Sequence, residues 1–88
     1  MRTFTKEQLA ELLAKHRAWL NNEDGGERAD LSYANLRYAD LSYANLRYAD
    51  LRYDDLRSAD LCYADLRSVN LSYADLRFLQ SANGKELA

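Results

Sequence analysis

From Ala29 onward the sequence repeats every five residues, beginning Ala29-Asp30-Leu31-Ser32-Tyr33 and ending at Phe78. Five residues advance an α-helix by about 140° net, so leucines at this spacing would spread over all faces of a helix. A five-residue unit fits a very short extended segment and a turn, with Ala and Leu inward and Asp or Asn outward. The chain is therefore expected to wind around its own leucines as an all-β solenoid. The leucine of each of the ten units is predicted to form the core: Leu31, Leu36, Leu41, Leu46, Leu51, Leu56, Leu61, Leu66, Leu71 and Leu76.

The unit Ala-(Asp/Asn)-Leu-x-x over residues 29 to 78 resembles the motif of the pentapeptide repeat family. The resemblance implies a right-handed quadrilateral β-helix with four units per coil, so ten units would make about two and a half coils. Residues twenty apart would then stack in columns. Two units depart from the motif, because Asp54 and Val69 occupy the position of Ala. A buried unpaired carboxylate is costly, so we expect Asp54 to be exposed by a local shift or to gain hydrogen-bond partners; the alternative is a specific binding feature.

The segment before the repeats has the pattern of an amphipathic helix over residues 6 to 20. Thr5 to Gln8 has the form of a capping box, and apolar residues then recur at helical spacing. We expect this helix to cap the first coil, with Trp19 covering Leu31 or Leu36. The predicted capping residues are Leu9, Leu12, Leu13, His16, Trp19 and Leu20.

The predicted organisation is a capping helix with its connecting turn at 1–28, the repeat β-helix at 29–80 and a C-terminal tail at 81–88. The tail has no pattern comparable to the N-terminal helix. An uncovered final coil would expose unpaired edges, so we predict that a second copy of the chain covers it as a homodimer, or that the tail folds back.

Charge and composition narrow the classes of function. The 12 basic and 14 acidic residues are interspersed and give a formal net charge of -2, so neither nucleic acid nor a membrane surface is a favoured partner. No apolar run approaches the roughly 18 residues of a membrane span, and Met1-Arg2-Thr3-Phe4 lacks the apolar region of a secretion signal, so a cytoplasmic location is expected.

The residues do not assemble into a catalytic or metal-binding pattern. The chain has one His and one Cys, too few for a Cys/His metal cluster, and no nucleophile, base and orienting group can be matched. We expect His16 to be packed at the boundary of the cap and Cys62 to be an exposed thiol. The protein is therefore predicted not to be an enzyme and to need no cofactor.

Tyrosine is the most unusual choice at the turns, and stacked columns of Tyr and Arg would form a candidate interaction surface. Its residues are Tyr33, Tyr53, Tyr73, Arg37, Arg57 and Arg77. Aromatic columns also stabilise a β-stack by themselves. We predict a structural or protein-binding module.

Three alternatives stay open. The resemblance implies that a strongly acidic member can mimic DNA and bind gyrase or another topoisomerase, although residues 29 to 78 hold eight Asp against six Arg. The Tyr and Arg columns could instead stack on the bases of a nucleic acid. The regularity also fits a synthetic or shortened repeat sequence without a native partner.

Overall fold

The computed structural model describes residues 1–80, so the predicted tail at 81–88 lies outside the described residues. The only helix in this part of the chain is α1, Lys6–Leu20, which has the bounds that the apolar spacing predicted. Thr5 is its N-cap: its hydroxyl accepts the N–H of Gln8 at 3.0 Å, and the Gln8 side chain accepts the N–H of Thr5 at 2.8 Å. This reciprocal pair satisfies two N–H groups that a helix start would otherwise leave unbonded.

After the helix the chain forms turns joined by single-residue β-bridges, with no longer strand within residues 1–80. The bridges within the repeats are parallel and join residues twenty apart, from Asp30 with Asp50 to Asp60 with Gln80. Each bridge is held from both sides: the Leu31 N–H donates to the Asp50 carbonyl at 2.8 Å, and the Asp50 N–H donates to the Ala29 carbonyl at 3.1 Å. Four repeats therefore separate stacked positions, and we call each such winding of twenty residues a coil.

Leucine and alanine side chains fill the interior of the stack. Leu31, Leu46 and Leu61 are at most 1% exposed, and the alanines at the first position of the unit pack beside them. The leucines nearest the C-terminal end of the described stack are only partly buried: Leu66, Leu71, Leu76 and Leu79. Burial of the predicted leucine core thus decreases toward that end.

Each turn places the last residue of its unit in the left-handed backbone region. The residues are Tyr33, Tyr38, Tyr43, Tyr48, Tyr53, Ser58, Tyr63, Ser68, Tyr73 and Phe78, with φ between 57° and 65°. In most corners the next N–H donates to the leucine carbonyl three residues earlier, as Ala39 does to Leu36 at 3.1 Å, a combination typical of a type II turn. Glycine is the usual residue here, and a side chain costs about 1–2 kcal/mol, which packing and hydrogen bonds along the column must offset.

The segment that precedes the helix pairs with the first coil through one residue. Arg2 forms a parallel bridge with Ala34. The Arg2 N–H donates to the Tyr33 carbonyl at 2.9 Å, and the Asn35 N–H donates to the Arg2 carbonyl at 2.8 Å. This segment has no repeat motif, and the sequence did not predict the pairing.

The helix contacts the first coil through part of its predicted stripe. Leu9, Leu12 and Leu13 pack against the leucine core, together with Phe4. Trp19 is 38% exposed, and its ring stacks on the His16 ring and meets the Tyr48 ring edge-on. Its backbone lies so close to Gly26 that a Cβ at Gly26 would come within 2.4 Å of the Trp19 nitrogen, which explains a glycine at this position.

Candidate functional site

The Asp or Asn of every repeat holds its own turn in place. In all ten units its Oδ1 accepts the backbone N–H of the residue two positions later, at 2.9–3.3 Å. This is an Asx turn, which needs only a side-chain oxygen as acceptor. Asp and Asn can therefore alternate at this position, and the aspartates have a local structural role.

In most units the side chain two positions later also bonds to the same Asp or Asn side chain. Where it is Arg, as in Arg52 or Arg57, the guanidinium pairs with the carboxylate at 2.8 or 2.7 Å; where it is Ser, as in Ser42, the hydroxyl donates to Oδ1 at 2.6 Å. The Arg77 hydrogen bonds lower the pKa of Asp75 to about 2. Opposite charges are thus paired within a repeat, which prevents a continuous strip of one sign on these faces.

The tyrosines twenty residues apart stack face to face. The ring centroids of Tyr33 and Tyr53 are 4.7 Å apart with an interplanar angle of 10°, and those of Tyr53 and Tyr73 are 4.9 Å apart at 8°. We call these three rings the long ladder. A short ladder is formed by Tyr43 and Tyr63, at 5.1 Å and 14°. The long-ladder rings are 53%, 40% and 80% exposed in chain order. Because stacking covers the ring faces inside the ladder, the exposed surface there consists mainly of ring edges.

The arginine column of the predicted surface lies beside another corner. Arg57 pairs with Asp55 at 2.7 Å and approaches Asp75 at 3.8 Å. Arg37 has no ion pair within the described part of the chain and instead lies over the Tyr38 ring, 5.7 Å from its centroid. Arg52, which is not among the predicted surface residues, interacts electrostatically with Tyr33. The six predicted surface residues therefore separate into the long ladder and an arginine column that accompanies Tyr38.

His16 is fully buried and joins the helix to the backbone of the first coil. Its Nδ1 accepts the N–H of Ala29 at 2.9 Å, and its Nε2 lies 2.8 Å from the carbonyl oxygen of Arg47. An N–H facing Nδ1 and a carbonyl facing Nε2 require the neutral tautomer with its proton on Nε2. Burial lowers the pKa of His16, and the charges of Arg28 and Arg47 act in the same direction. Both ring nitrogens are thus engaged in a structural link.

Asp54 lies inside the stack, where other units have Ala, and is 1% exposed. Its Oδ1 accepts the N–H of Ala34 at 2.8 Å, and its Oδ2 is buried without a hydrogen-bond partner within the described residues. Burial raises the pKa of Asp54 to about 7. We expected Asp54 to be exposed or to gain hydrogen-bond partners. The prediction of exposure is wrong, and only one of the two carboxyl oxygens has a hydrogen-bond partner among residues 1–80.

The remaining chemical features of residues 1–80 are few. Cys62 is half-buried, where we expected an exposed thiol, and Val69 packs against the core from the position of Ala. No group of three or more His, Cys, Asp or Glu residues in this part of the chain is arranged to hold a metal ion. Across the same residues, no helix has the length and apolar character needed to cross a bilayer.

Comparison with known proteins agrees with this geometry. The sequence profile of the pentapeptide repeats matches eight copies over residues 27–53 and 55–80, more than half of the chain, and it is interrupted at Asp54. The chain belongs to the pentapeptide repeat family, and its repeats form a β-helix solenoid of that kind.

One similar solved structure is a pentapeptide repeat protein (Rfr23) from the cyanobacterium Cyanothece 51142. It is 33% identical with a TM-score of 0.48, over 62% of this chain and 34% of that chain. This chain thus spans about a third of the length of that protein. No curated protein matches the sequence.

Proposed function

We propose that this protein is a non-catalytic structural or protein-binding module whose binding surface is the long ladder, Tyr33, Tyr53 and Tyr73. The observation that carries the proposal is the parallel stacking of three exposed rings at 4.7 and 4.9 Å. Tyrosine is enriched at protein interfaces, and rings already ordered by stacking lose little side-chain entropy when a partner binds.

The scaffold behind this surface is proposed to be a right-handed quadrilateral β-helix of about two and a half coils with α1 as its N-terminal cap. The packing of Leu9, Leu12 and Leu13 on the leucine core supports the capping role, since it covers apolar side chains of the first coil. The bond between His16 and the Arg47 carbonyl supports it further, because it satisfies a backbone group at the helix side of the coil.

Two alternatives receive less support from the geometry. Base stacking needs open ring faces, but in the long ladder the two faces of Tyr53 are covered by Tyr33 and Tyr73. DNA mimicry needs unpaired carboxylates at a spacing near one charge per ~1.7 Å of axis. The carboxylates of Asp50, Asp55, Asp65 and Asp75 are paired with arginines of their own repeats.

The C-terminal end of the described stack is proposed to contact a second copy of the chain. The partial burial of Leu71, Leu76 and Leu79 supports this, because a coil of the second copy would cover these side chains. Light scattering across a concentration series tests the dimer, and a strict monomer at the highest concentration would rule it out. A cytoplasmic location remains a prediction.

The binding proposal is tested by quantitative affinity capture from bacterial lysate. One bait carries Tyr33→Ser, Tyr53→Ser and Tyr73→Ser; the matched control carries Tyr43→Ser and Tyr63→Ser, which removes only the short ladder. Any protein enriched by the wild type is then purified and its Kd measured against all three baits. The proposal expects binding that the first bait loses and the control retains. Equal binding by all three would exclude the long ladder as the surface, and capture of a topoisomerase unaffected by the tyrosine changes would favour DNA mimicry.

A further inference from the structure

The two ladders hold exposed phenol rings of successive coils close together and parallel. The centroid distances are 4.7 Å for Tyr33 and Tyr53, 4.9 Å for Tyr53 and Tyr73, and 5.1 Å for Tyr43 and Tyr63. We infer that the ladders are modification sites, at which a one-electron oxidant of the peroxidase and hydrogen peroxide type couples stacked tyrosines into dityrosine. The bond would fasten one coil covalently to the next. This chemistry is independent of the proposed binding function.

The reaction balances with hydrogen peroxide as the oxidant. Each of two phenols gives up one electron and one proton and becomes a phenoxyl radical. The radicals form a carbon–carbon bond between ring carbons ortho to the oxygens, and the hydrogens on those carbons move to the oxygens as aromaticity returns. The protein loses two hydrogens in total, and one hydrogen peroxide is reduced to two waters.

The fold favours coupling within one molecule. Two groups held side by side react at a much higher effective concentration than the same groups on separate molecules. The centroid distances require a further approach of only one to two ångströms to bring ring carbons near the ~3–3.5 Å of a reactive contact. Exposure of the rings, 80% for Tyr73 and 75% for Tyr43, leaves room for that movement and gives the oxidant access.

The chain contains its own matched controls for exposure without stacking. Tyr38 is 74% exposed, but the residue twenty positions later is Ser58. Tyr48 is 52% exposed, its column continues with Ser68, and its ring meets Trp19 edge-on at 6.5 Å. Both tyrosines are as accessible as those of the ladders. An oxidant guided by exposure alone would modify them equally, whereas coupling guided by stacking would omit them.

The experiment treats a dilute solution of the 88-residue chain with peroxidase and limiting hydrogen peroxide. The intact mass and the dityrosine fluorescence of the product are then measured, and peptide mapping locates the linked tyrosines. We expect a monomeric product that has lost two hydrogens, with links mapping to the pairs Tyr33–Tyr53, Tyr53–Tyr73 and Tyr43–Tyr63. Because the link joins coils, its product should also unfold at a temperature several degrees higher than the untreated chain.

Conservative variants distinguish coupling that requires stacked rings from the general reactivity of exposed tyrosines. Tyr53→Phe keeps an aromatic ring but removes the phenol shared by both long-ladder pairs, so links in that ladder should be lost while the Tyr43–Tyr63 link persists. Tyr38→Phe should change nothing. Ser58→Tyr should create a new link to Tyr38. Links that involve Tyr38 or Tyr48 as often as ladder pairs in the wild type, or a product that is mainly intermolecular at low concentration, would overturn the inference.

Discussion

The backbone N–H of Ala34 donates a hydrogen bond to the buried Oδ1 of Asp54, twenty residues further along the chain, at 2.8 Å. At the later corners the equivalent N–H donates to the leucine carbonyl within its own turn, as in Ala39 and Ala59. Asp54 therefore replaces a local turn bond by one between coils and buries a carboxyl group in the leucine core. Its second oxygen has no hydrogen-bond partner within residues 1–80. The stability of the fold therefore depends on whether this carboxyl group is ionised.

The first prediction concerns the pH dependence that Asp54 imposes. Burial raises its pKa from 3.8 to about 7, so between these values the folded chain holds a proton that the unfolded chain has released. The contribution of Asp54 to the free energy of unfolding should fall as pH rises through this window, by up to about 4 kcal/mol, whereas His16 and the paired aspartates act in the opposite direction as pH falls. Asp54→Ala should remove this contribution to the slope and be more stable than the wild type at pH 8.

Urea unfolding at pH 5 and pH 8 checks this prediction in both proteins. The stability gained by Asp54→Ala should be much larger at pH 8 than at pH 5. Asp40→Ala, which removes an exposed aspartate that accepts bonds from Ser42, is a suitable control because its effect should not grow with pH in this window. An unchanged slope in Asp54→Ala would contradict the prediction.

The second prediction is that His16 is a neutral structural link. Its pKa is lowered by burial, so the unfolded chain binds the proton first as pH falls below about 6.5. The contribution of His16 to stability is therefore complete above that pH and is lost as pH falls, opposite in sign to that of Asp54. His16→Phe would leave the Ala29 N–H and the Arg47 carbonyl unbonded and should cost about 2–4 kcal/mol at neutral pH.

Thermal unfolding and nitrogen NMR of the imidazole measure these effects. His16→Gln, which can still donate to the Arg47 carbonyl, should lose less stability than His16→Phe. The NMR spectrum should show Nε2 protonated and Nδ1 unprotonated at pH 7. A ring that titrates near pH 6.5 in the folded protein would contradict the assignment.

The third prediction separates the two roles of an aspartate in the repeat. Asp55 accepts the Arg57 N–H at 3.2 Å and also pairs with its guanidinium at 2.7 Å. Asp55→Asn keeps the turn acceptor and loses the ion pair, so it should cost at most about 1 kcal/mol. Asp55→Ala removes both and should cost about 1–2 kcal/mol. Equal losses measured by urea unfolding would show that the Asx turn contributes nothing.

Much of the scaffold follows from the sequence because its causes are local and repeated. A leucine every five residues determines which side chains face inward, and the capping box at Thr5 determines where α1 begins. The spacing of tyrosines, together with the twenty-residue period implied by the family resemblance, predicts the ring columns that stack at Tyr33, Tyr53 and Tyr73.

Other features depend on which groups the fold brings opposite one another. The left-handed backbone at Tyr33 has no glycine to indicate it, and Arg2 lies in a segment without the motif yet pairs with Ala34. The single hydrogen-bond partner of the Asp54 carboxyl group within the described residues is a backbone N–H one coil away. The arginine column and the long ladder were predicted as one surface from the twenty-residue period that the family resemblance implies, and this period does not place the columns relative to each other.

The twenty-residue register underlies both tyrosine ladders, the inter-coil bond of Asp54 and the two proposals made from them. It can be tested with one substitution, because Ser42 and Cys62 occupy the same position of stacked repeats. The Tyr43 N–H donates to the Cys62 carbonyl at 2.9 Å, so the two segments are adjacent in the stack. Stacked coils are spaced at about 4.8 Å, within the Cα separation that a disulfide accepts.

The decisive measurement is therefore the rate of disulfide formation in Ser42→Cys under mild oxidation of the folded protein. The control is Ser72→Cys, whose new thiol is closer to Cys62 in sequence but half a coil away from it. A twenty-residue register predicts a fast intramolecular disulfide in Ser42→Cys, with the fold retained, and none in Ser72→Cys. Similar rates in the two variants, or faster closure of the shorter loop in Ser72→Cys, would contradict the twenty-residue register.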